Sequence, residues 1–385
     1  MRRFAILRNA GITARPHSGS PRKLSAARSE LTFERLPEKA FAEMLKDPSV
    51  DRICPVMPTR LIKPMEGQVN KTSQSWGLEV TGVDRSPYSG KGVKVAVLDT
   101  GIERDHPAFA GVNLIEQDFT GTGNGDHQGH GTHCAGTIFG RDIQGKRIGI
   151  ARDVETALIG KVLRNDGSGE SEMVFNAMHW AMAQGANVVS MSLGFDFPGM
   201  VAAMVAEGWP ADLATSTALE AYRGNMRMFD AIMGMYRAQA PFSGSPLVIA
   251  AAGNESRREI NPEYRIAVSL PAAADDVISV AAIGQAEQKL TVAPFSNSLA
   301  TVSAPGVDIV SAGLQGSLLS LSGTSMACPH VAGIAALWWE QVRTTGKTPS
   351  ATNIKAMLLA HTSRETFGTE VDEADIGQGM VMAPL

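Results

Sequence analysis

Gly323-Thr324-Ser325-Met326-Ala327-Cys328-Pro329-His330 decides the reading of this chain. It sets a serine between a glycine turn and an apolar helical run, Val331 to Trp339. A serine at a helix N-terminus has free backbone N–H groups and the positive end of the helix dipole beside its hydroxyl. That setting suits a nucleophile whose attack creates an oxyanion. Two further segments lie upstream, Val95-Ala96-Val97-Leu98-Asp99-Thr100-Gly101 and His130-Gly131-Thr132-His133-Cys134-Ala135-Gly136. Asp99 closes a short apolar run, and chemistry in open α/β sheets collects at the C-terminal ends of such strands. From Gly92 onward, apolar runs at Val93 to Leu98, Ala186 to Met191, Leu247 to Ala252 and Val277 to Ala282 are separated by helical patterns such as Ser171 to Ala183. That alternation indicates an α/β fold with a mainly parallel central sheet.

The motifs supply Asp99, His130 and Ser325 in that chain order, and on these residues the chain resembles the subtilisin-like serine proteases, the subtilases. The resemblance implies a three-layer catalytic domain that hydrolyses peptide bonds through an acyl-enzyme. It assigns Asp99 to accept the imidazole Nδ1–H, His130 to act as the base and Ser325 as the nucleophile. Activity is then expected to rise with pH as the imidazole loses its proton, near the reference value of ~6.5. Asn254, in Ala250-Ala251-Ala252-Gly253-Asn254-Glu255, matches the family's oxyanion asparagine. Ser192-Leu193-Gly194 and Asp166-Gly167-Ser168-Gly169 match the two edges between which a substrate lies extended, with Ser168 and Gly169 on the second. Ser269 aligns with the base of the P1 pocket, and Glu255 lies near its rim. The expected preference is for medium to large apolar P1 residues, with some tolerance of basic ones. Asp126, four residues before His130, is expected to favour a basic P2 residue.

Each motif has a competing reading. Asp-Thr-Gly, Gly-Asn and Asp-Gly-Ser-Gly are all ordinary turn chemistry. His130 and His133 stand three apart, as metal ligands can, but zinc helices favour His-Glu-x-x-His and no glutamate lies between them. His133 is therefore read as structural and no metal ligand is assigned. A serine esterase of another fold would carry Gly-x-Ser-x-Gly, whereas Thr324 and Met326 flank Ser325. A catalytically silent binding or regulatory protein on the same scaffold is the remaining alternative.

The 385 residues suffice for one large domain and a small one. Lys and Arg total 35 against 39 Asp and Glu, which implies neither nucleic acid nor an anionic membrane surface as partner. The expected partners are a peptide or protein substrate and the chain's own N-terminal module. Residues 1–64 carry strand, helix and strand signals, and the run from Leu45 to Val50 resembles the end of the subtilase inhibitor pro-domain. Residues 65–90, rich in Gly, Ser and Thr, read as a linker and N-terminal arm, and 91–385 as the catalytic domain. Residues 195–246 are longer than the family's usual connection. There Leu219, Tyr222, Met226, Phe229, Met233 and Tyr236 recur at helical spacing, giving a helical insert packed on the catalytic domain or used as a lid or partner site. A processing cut is expected between about Ile62 and Ser75.

The N-terminus regains charge before an apolar signal core forms, and three cysteines make a sparse, odd set. A cytoplasmic location is expected, with unconventional secretion as the alternative. No cofactor is required. The family's tight calcium site looks absent, because Ala108 follows His106-Pro107 and the loop Gly140 to Lys146 brings cations where oxygens are wanted. Other calcium sites stay open. Cys134 and Cys328 are expected near the site but buried in helices.

Overall fold

The computed structural model describes residues 2–10, 28–67, 76–286 and 289–385. At the N-terminus, β1 (Arg2–Ala10) pairs antiparallel with β2 (Arg28–Leu36) and β3 (Val50–Pro55), and α1 (Glu38–Met44) covers one face. Side chains alternate across a strand, so Phe4 and Ile6 pack with Phe41 and Met44 of α1. Ala5 and Leu7, with Cys54, face the other way and enter the core of the main body.

Next come β4 (Pro58–Leu61), β5 (Met65–Gly67), α2 (Trp76–Val80), β6 (Lys94–Asp99), β7 (Asn113–Asp118), α3 (His130–Phe139) and β8 (Thr156–Lys161). They are followed by β9 (Ser168–Glu170), α4 (Ser171–Ala183), β10 (Val188–Met191), β11 (Leu193–Phe195), α5 (Phe197–Ala206), α6 (Ala211–Ser243) and β12 (Leu247–Ala251). The remainder is β13 (Ile278–Ala286), β14 (Lys289–Val292), β15 (Val302–Pro305), β16 (Ile309–Ala312), β17 (Leu318–Ser322), α7 (Thr324–Thr344), α8 (Ala351–Ala360), β18 (Thr362–Ser363) and β19 (Met380–Val381).

The main sheet runs β18-β19-β15-β13-β12-β10-β6-β8-β7, parallel from β19 through β7. Its strands are hydrophobic on both faces, as a covered parallel sheet requires. Val95, Val97 and Ile159 pack toward α3 and α7. Ala96, Leu98 and Leu158 pack toward α4 and α6. The result is a three-layer α/β body. Strand β6 has β8 on one side and β10 on the other. The chain therefore switches direction across the sheet at Asp99, and such a switch opens a crevice at the strand ends.

Two small antiparallel sheets flank this crevice. Strand β4 lies between β11 and β9, and β5 pairs with the outer strand of the β16–β17 hairpin. One stretch of chain, residues 58–67, thus contributes to both.

Within the arm, residues 76–90 pack onto the main body: Trp76, Leu78 and Val83 are buried, and Trp76 Nε1 donates to the Val307 carbonyl at 3.1 Å. The polar composition of the stretch hid these few well-spaced apolar residues. Residues 68–75 lie outside those described. In α6, Leu219 faces solvent instead of the core, while Met228 and Ile232 join Phe229, Met233 and Tyr236 inside. Helix α6 also packs on β3, where Asn225 Nδ2 donates to the Pro55 carbonyl at 2.8 Å.

Candidate active site

Strand β6 ends on Asp99, and α3 begins on His130 directly above it. Gly131 permits this approach, since a Cβ there would lie 2.2 Å from the Gly101 carbonyl oxygen. His130 Nδ1 is 2.7 Å from Asp99 Oδ1, with both side chains 1 % exposed. The other carboxylate oxygen, Asp99 Oδ2, is buried without a partner among the described residues, and so is His130 Nε2. Ser325 stands in the first turn of α7, completely buried. Its hydroxyl donates to the Ile62 carbonyl at 3.2 Å rather than to the imidazole.

Asn254 follows β12, and its carboxamide is oriented by Thr324. Asn254 Oδ1 accepts from the Thr324 backbone N–H at 2.9 Å and from Thr324 Oγ1 at 2.8 Å. This leaves Nδ2 pointing outward, where it donates to the Lys63 carbonyl at 3.1 Å. Thr324 was missed in the sequence, though its place beside Ser325 was a signal.

The two segments expected as groove edges come together around β4. Gly194 pairs with Arg60 and Leu193 with Leu61 on one side. Ser168 pairs with Arg60 and Gly169 with Thr59 on the other. Leu61 N–H also donates to the Gly167 carbonyl at 2.8 Å. Ser192 Oγ donates to the Ser325 carbonyl at 3.2 Å, bracing the start of α7. Ile62 is 3 % exposed, and a Cβ built on Gly194 would lie 3.6 Å from Ile62 Cγ1 and 3.9 Å from Ser269 Oγ. Ile62 and Ser269 thus both lie close to Gly194.

Asp126, expected to favour a basic P2 residue, is buried. Its carboxylate accepts from the backbone N–H groups of Gln128, Gly129 and Thr132 and from the hydroxyls of Thr100 and Thr132. These bonds hold it below the ordinary carboxylate range despite burial, which acts the other way. Asp126 anchors the start of α3 and has no hydrogen bond to the strand in the groove. Lys161, missed in the sequence, is buried behind Asp99 and donates to the carbonyls of Thr100 and Gly125. No sequence pattern marks it, because only the fold brings these loops together.

His133 points away from the site, its Nε2 within 3.0 Å of the Ile309 carbonyl and 3.1 Å of the Leu319 carbonyl. Cys134 Sγ lies 3.8 Å from His130 Nδ1 and contacts the Ser325 carbonyl. Asp99, His130 and Cys134 are close enough to surround an ion, and burial pushes the Cys134 thiol well above its ordinary value. Cys54, Cys134 and Cys328 are all free and buried.

A three-layer α/β body with a buried Asp–His pair, a helix-start serine and a strand-lined groove defines a serine hydrolase built to hold extended peptide. Residues 90–379 match the model of the subtilase family. An intracellular serine protease of Paenibacillus polymyxa is 32% identical over 75% of this chain and 78% of its own length. Thermitase of Thermoactinomyces vulgaris is 34% identical over 73% and 84%, and subtilisin-like protease 6 of Trichophyton rubrum 33% over 86% and 74%. The chain belongs to the subtilase family and is a serine-type endopeptidase acting on peptide or protein substrates.

Proposed function

We propose that Asp99, His130 and Ser325 form the catalytic triad, that Asn254 supplies the oxyanion donor, and that residues 1–64 are an inhibitory pro-domain of a self-processing zymogen. The observation that carries this reading is β4, which occupies the groove as a substrate would and brings the Ile62 carbonyl to the Ser325 hydroxyl. Ser325 would attack a carbonyl carbon while His130 Nε2 takes its proton. The tetrahedral oxyanion would be held by Asn254 Nδ2 and by the Ser325 backbone N–H, which as the second residue of α7 has no acceptor within the helix. His130 then returns the proton to the leaving amine, and water repeats the sequence on the acyl-enzyme.

The occupied groove supports latency. Asn254 holds the carbonyl of Lys63, one residue beyond Ile62. The Ile62–Lys63 bond therefore lies at the site with its carbonyl turned from the oxyanion donor and the serine turned from its base. A cut in this region requires that stretch to shift by a small local rotation.

The reading invokes no cofactor. Arg147 supports the absence of the family's calcium loop, since its guanidinium donates to the carbonyls of Val83, Gly149 and Ile150, oxygens of the kind a calcium ion gathers. Three free, buried cysteines and the likeness to an intracellular protease support work in the cytoplasm. Among the described residues, no helix is long and apolar enough to cross a membrane.

Intact mass of the full-length protein, followed beside Ser325→Ala with a chromogenic peptide amide present, tests the proposal. The parent is expected to lose about 60–75 N-terminal residues and gain amidase activity, while the variant does neither. A parent that cleaves the amide at full length would refute the pro-domain role. One that stays intact and inert would favour the catalytically silent alternative.

A further inference from the structure

We propose that Asp196 and Glu255 form an acidic S3 subsite, which selects substrates carrying arginine or lysine at the third position before the cleaved bond. The proposal rests on the peptidase reading above and names a specificity that the triad and groove edges do not supply.

The strand in the groove gives the register. Ile62 carries the carbonyl at the Ser325 hydroxyl and is buried beside Gly194, so it occupies the first position. Leu61, bonded to the Gly167 carbonyl, is the second. Arg60, paired with Gly194 on one edge and Ser168 on the other, is the third. Thr59 and Ile62 are buried, while the Arg60 side chain is 43% exposed at the rim.

Two carboxylates meet that side chain. Asp196 Oδ1 is 3.1 Å from Arg60 Nη1, and Glu255 Oε1 is 3.5 Å from Arg60 Nη2. Both are held in place independently of the arginine. Asp196 caps α5 by accepting from the Gly199 N–H at 3.0 Å. Glu255 Oε2 accepts from Asn297 Nδ2 at 2.8 Å, leaving Oε1 directed at the groove. Residues that keep their geometry without the ligand offer a preorganised site. The acid on the opposite edge, Glu170, is engaged by Arg3 and Arg164 instead. The carboxylates come from the segment after β11 and from the turn after β12, and only the bound strand shows that they converge.

The pair is partly exposed, so its effect is modest and salt-sensitive. The first test uses the full-length preparation, incubated until its activity on an Ala-Leu-Ile peptide amide is constant. Replacing the Ala by arginine is expected to give roughly 3- to 10-fold higher kcat/KM than replacing it by citrulline, the neutral isostere. The advantage should shrink with added salt and vanish in Asp196→Asn/Glu255→Gln, which keeps the cap and the Asn297 bond. Equal turnover of the two peptides by the parent overturns the proposal. A second measurement needs no turnover. In Ser325→Ala, amide exchange at residues 59–61 is expected to rise about 3- to 10-fold with Arg60→Gln. The rise should be no larger when Asp196→Asn/Glu255→Gln is added, and exchange unmoved by Arg60→Gln overturns the proposal as well. Failure to cleave the Ala reference at all would sink the peptidase reading, while the exchange result would still decide the subsite.

Discussion

Thr324 and Asn254 show how one residue can orient a hydrogen-bond donor. Asn254 Oδ1 is fixed by two donors from Thr324, and Thr324 Oγ1 in turn accepts from the Gly253 N–H at 3.1 Å. The amide nitrogen is therefore aimed without needing a substrate to orient it, as electrostatic preorganisation demands. Asn254→Ala is expected to lower kcat of the processed enzyme by about 10²–10³ with little change in KM, measured on a peptide amide. Thr324→Val should give a smaller loss in the same direction, because the carboxamide remains but is free to rotate.

At the scale of elements, the N-terminal sheet is held from both sides, by its own α1 and by α6. The contact with α6 is close: a Cβ on Gly224 would lie 3.0 Å from Cys54 Cβ. Gly224→Val should wedge β3 off α6. Overpacking of this kind costs about 1–3 kcal/mol, so the open state should become on the order of tenfold more populated, with earlier amidase activity in the full-length protein. Activity that appears at the parental rate would show that the α6 contact does not restrain the module. The periodic elements were legible in the sequence. Helix α4 falls where its apolar spacing put it, and the strand ending at Asp99 was readable from its apolar run and the turn after it. What was not legible depends on pairing between distant segments. No local pattern in Pro58 to Leu61 announces that it lies between β9 and β11, and the charge of Asp126 gave no hint that five donors already claim it. The site motifs were readable because each is local: a strand end or a helix start. Arg60 meeting Asp196 and Glu255 was hidden because three separate segments supply it.

For the whole molecule, burial makes acid a general threat. Desolvation, chiefly, and the nearby His130 push His133 down to about 3, and desolvation pushes His330 down to about 4. Unfolding restores ordinary values, so between about pH 6.5 and the folded values the unfolded chain binds more protons. Stability is then complete above about 6.5 and lost as pH falls, by about 3 kcal/mol for each imidazole at pH 4. Urea midpoints of Ser325→Ala, measured from pH 7 to 4, should fall steeply, and His133→Gln should flatten that slope. The passage of residues 58–67 through both small sheets has a kinetic consequence. While the chain is whole, that stretch is a tethered ligand, meeting the cleft at an effective concentration on the millimolar scale that dilution leaves unchanged. Severed after Ile62, its N-terminal part would become a second molecule, whose hold weakens as the solution is diluted. On the zymogen proposal a single cut would turn first-order self-restraint into a bimolecular equilibrium, and the same enzyme would become more active simply by spreading out.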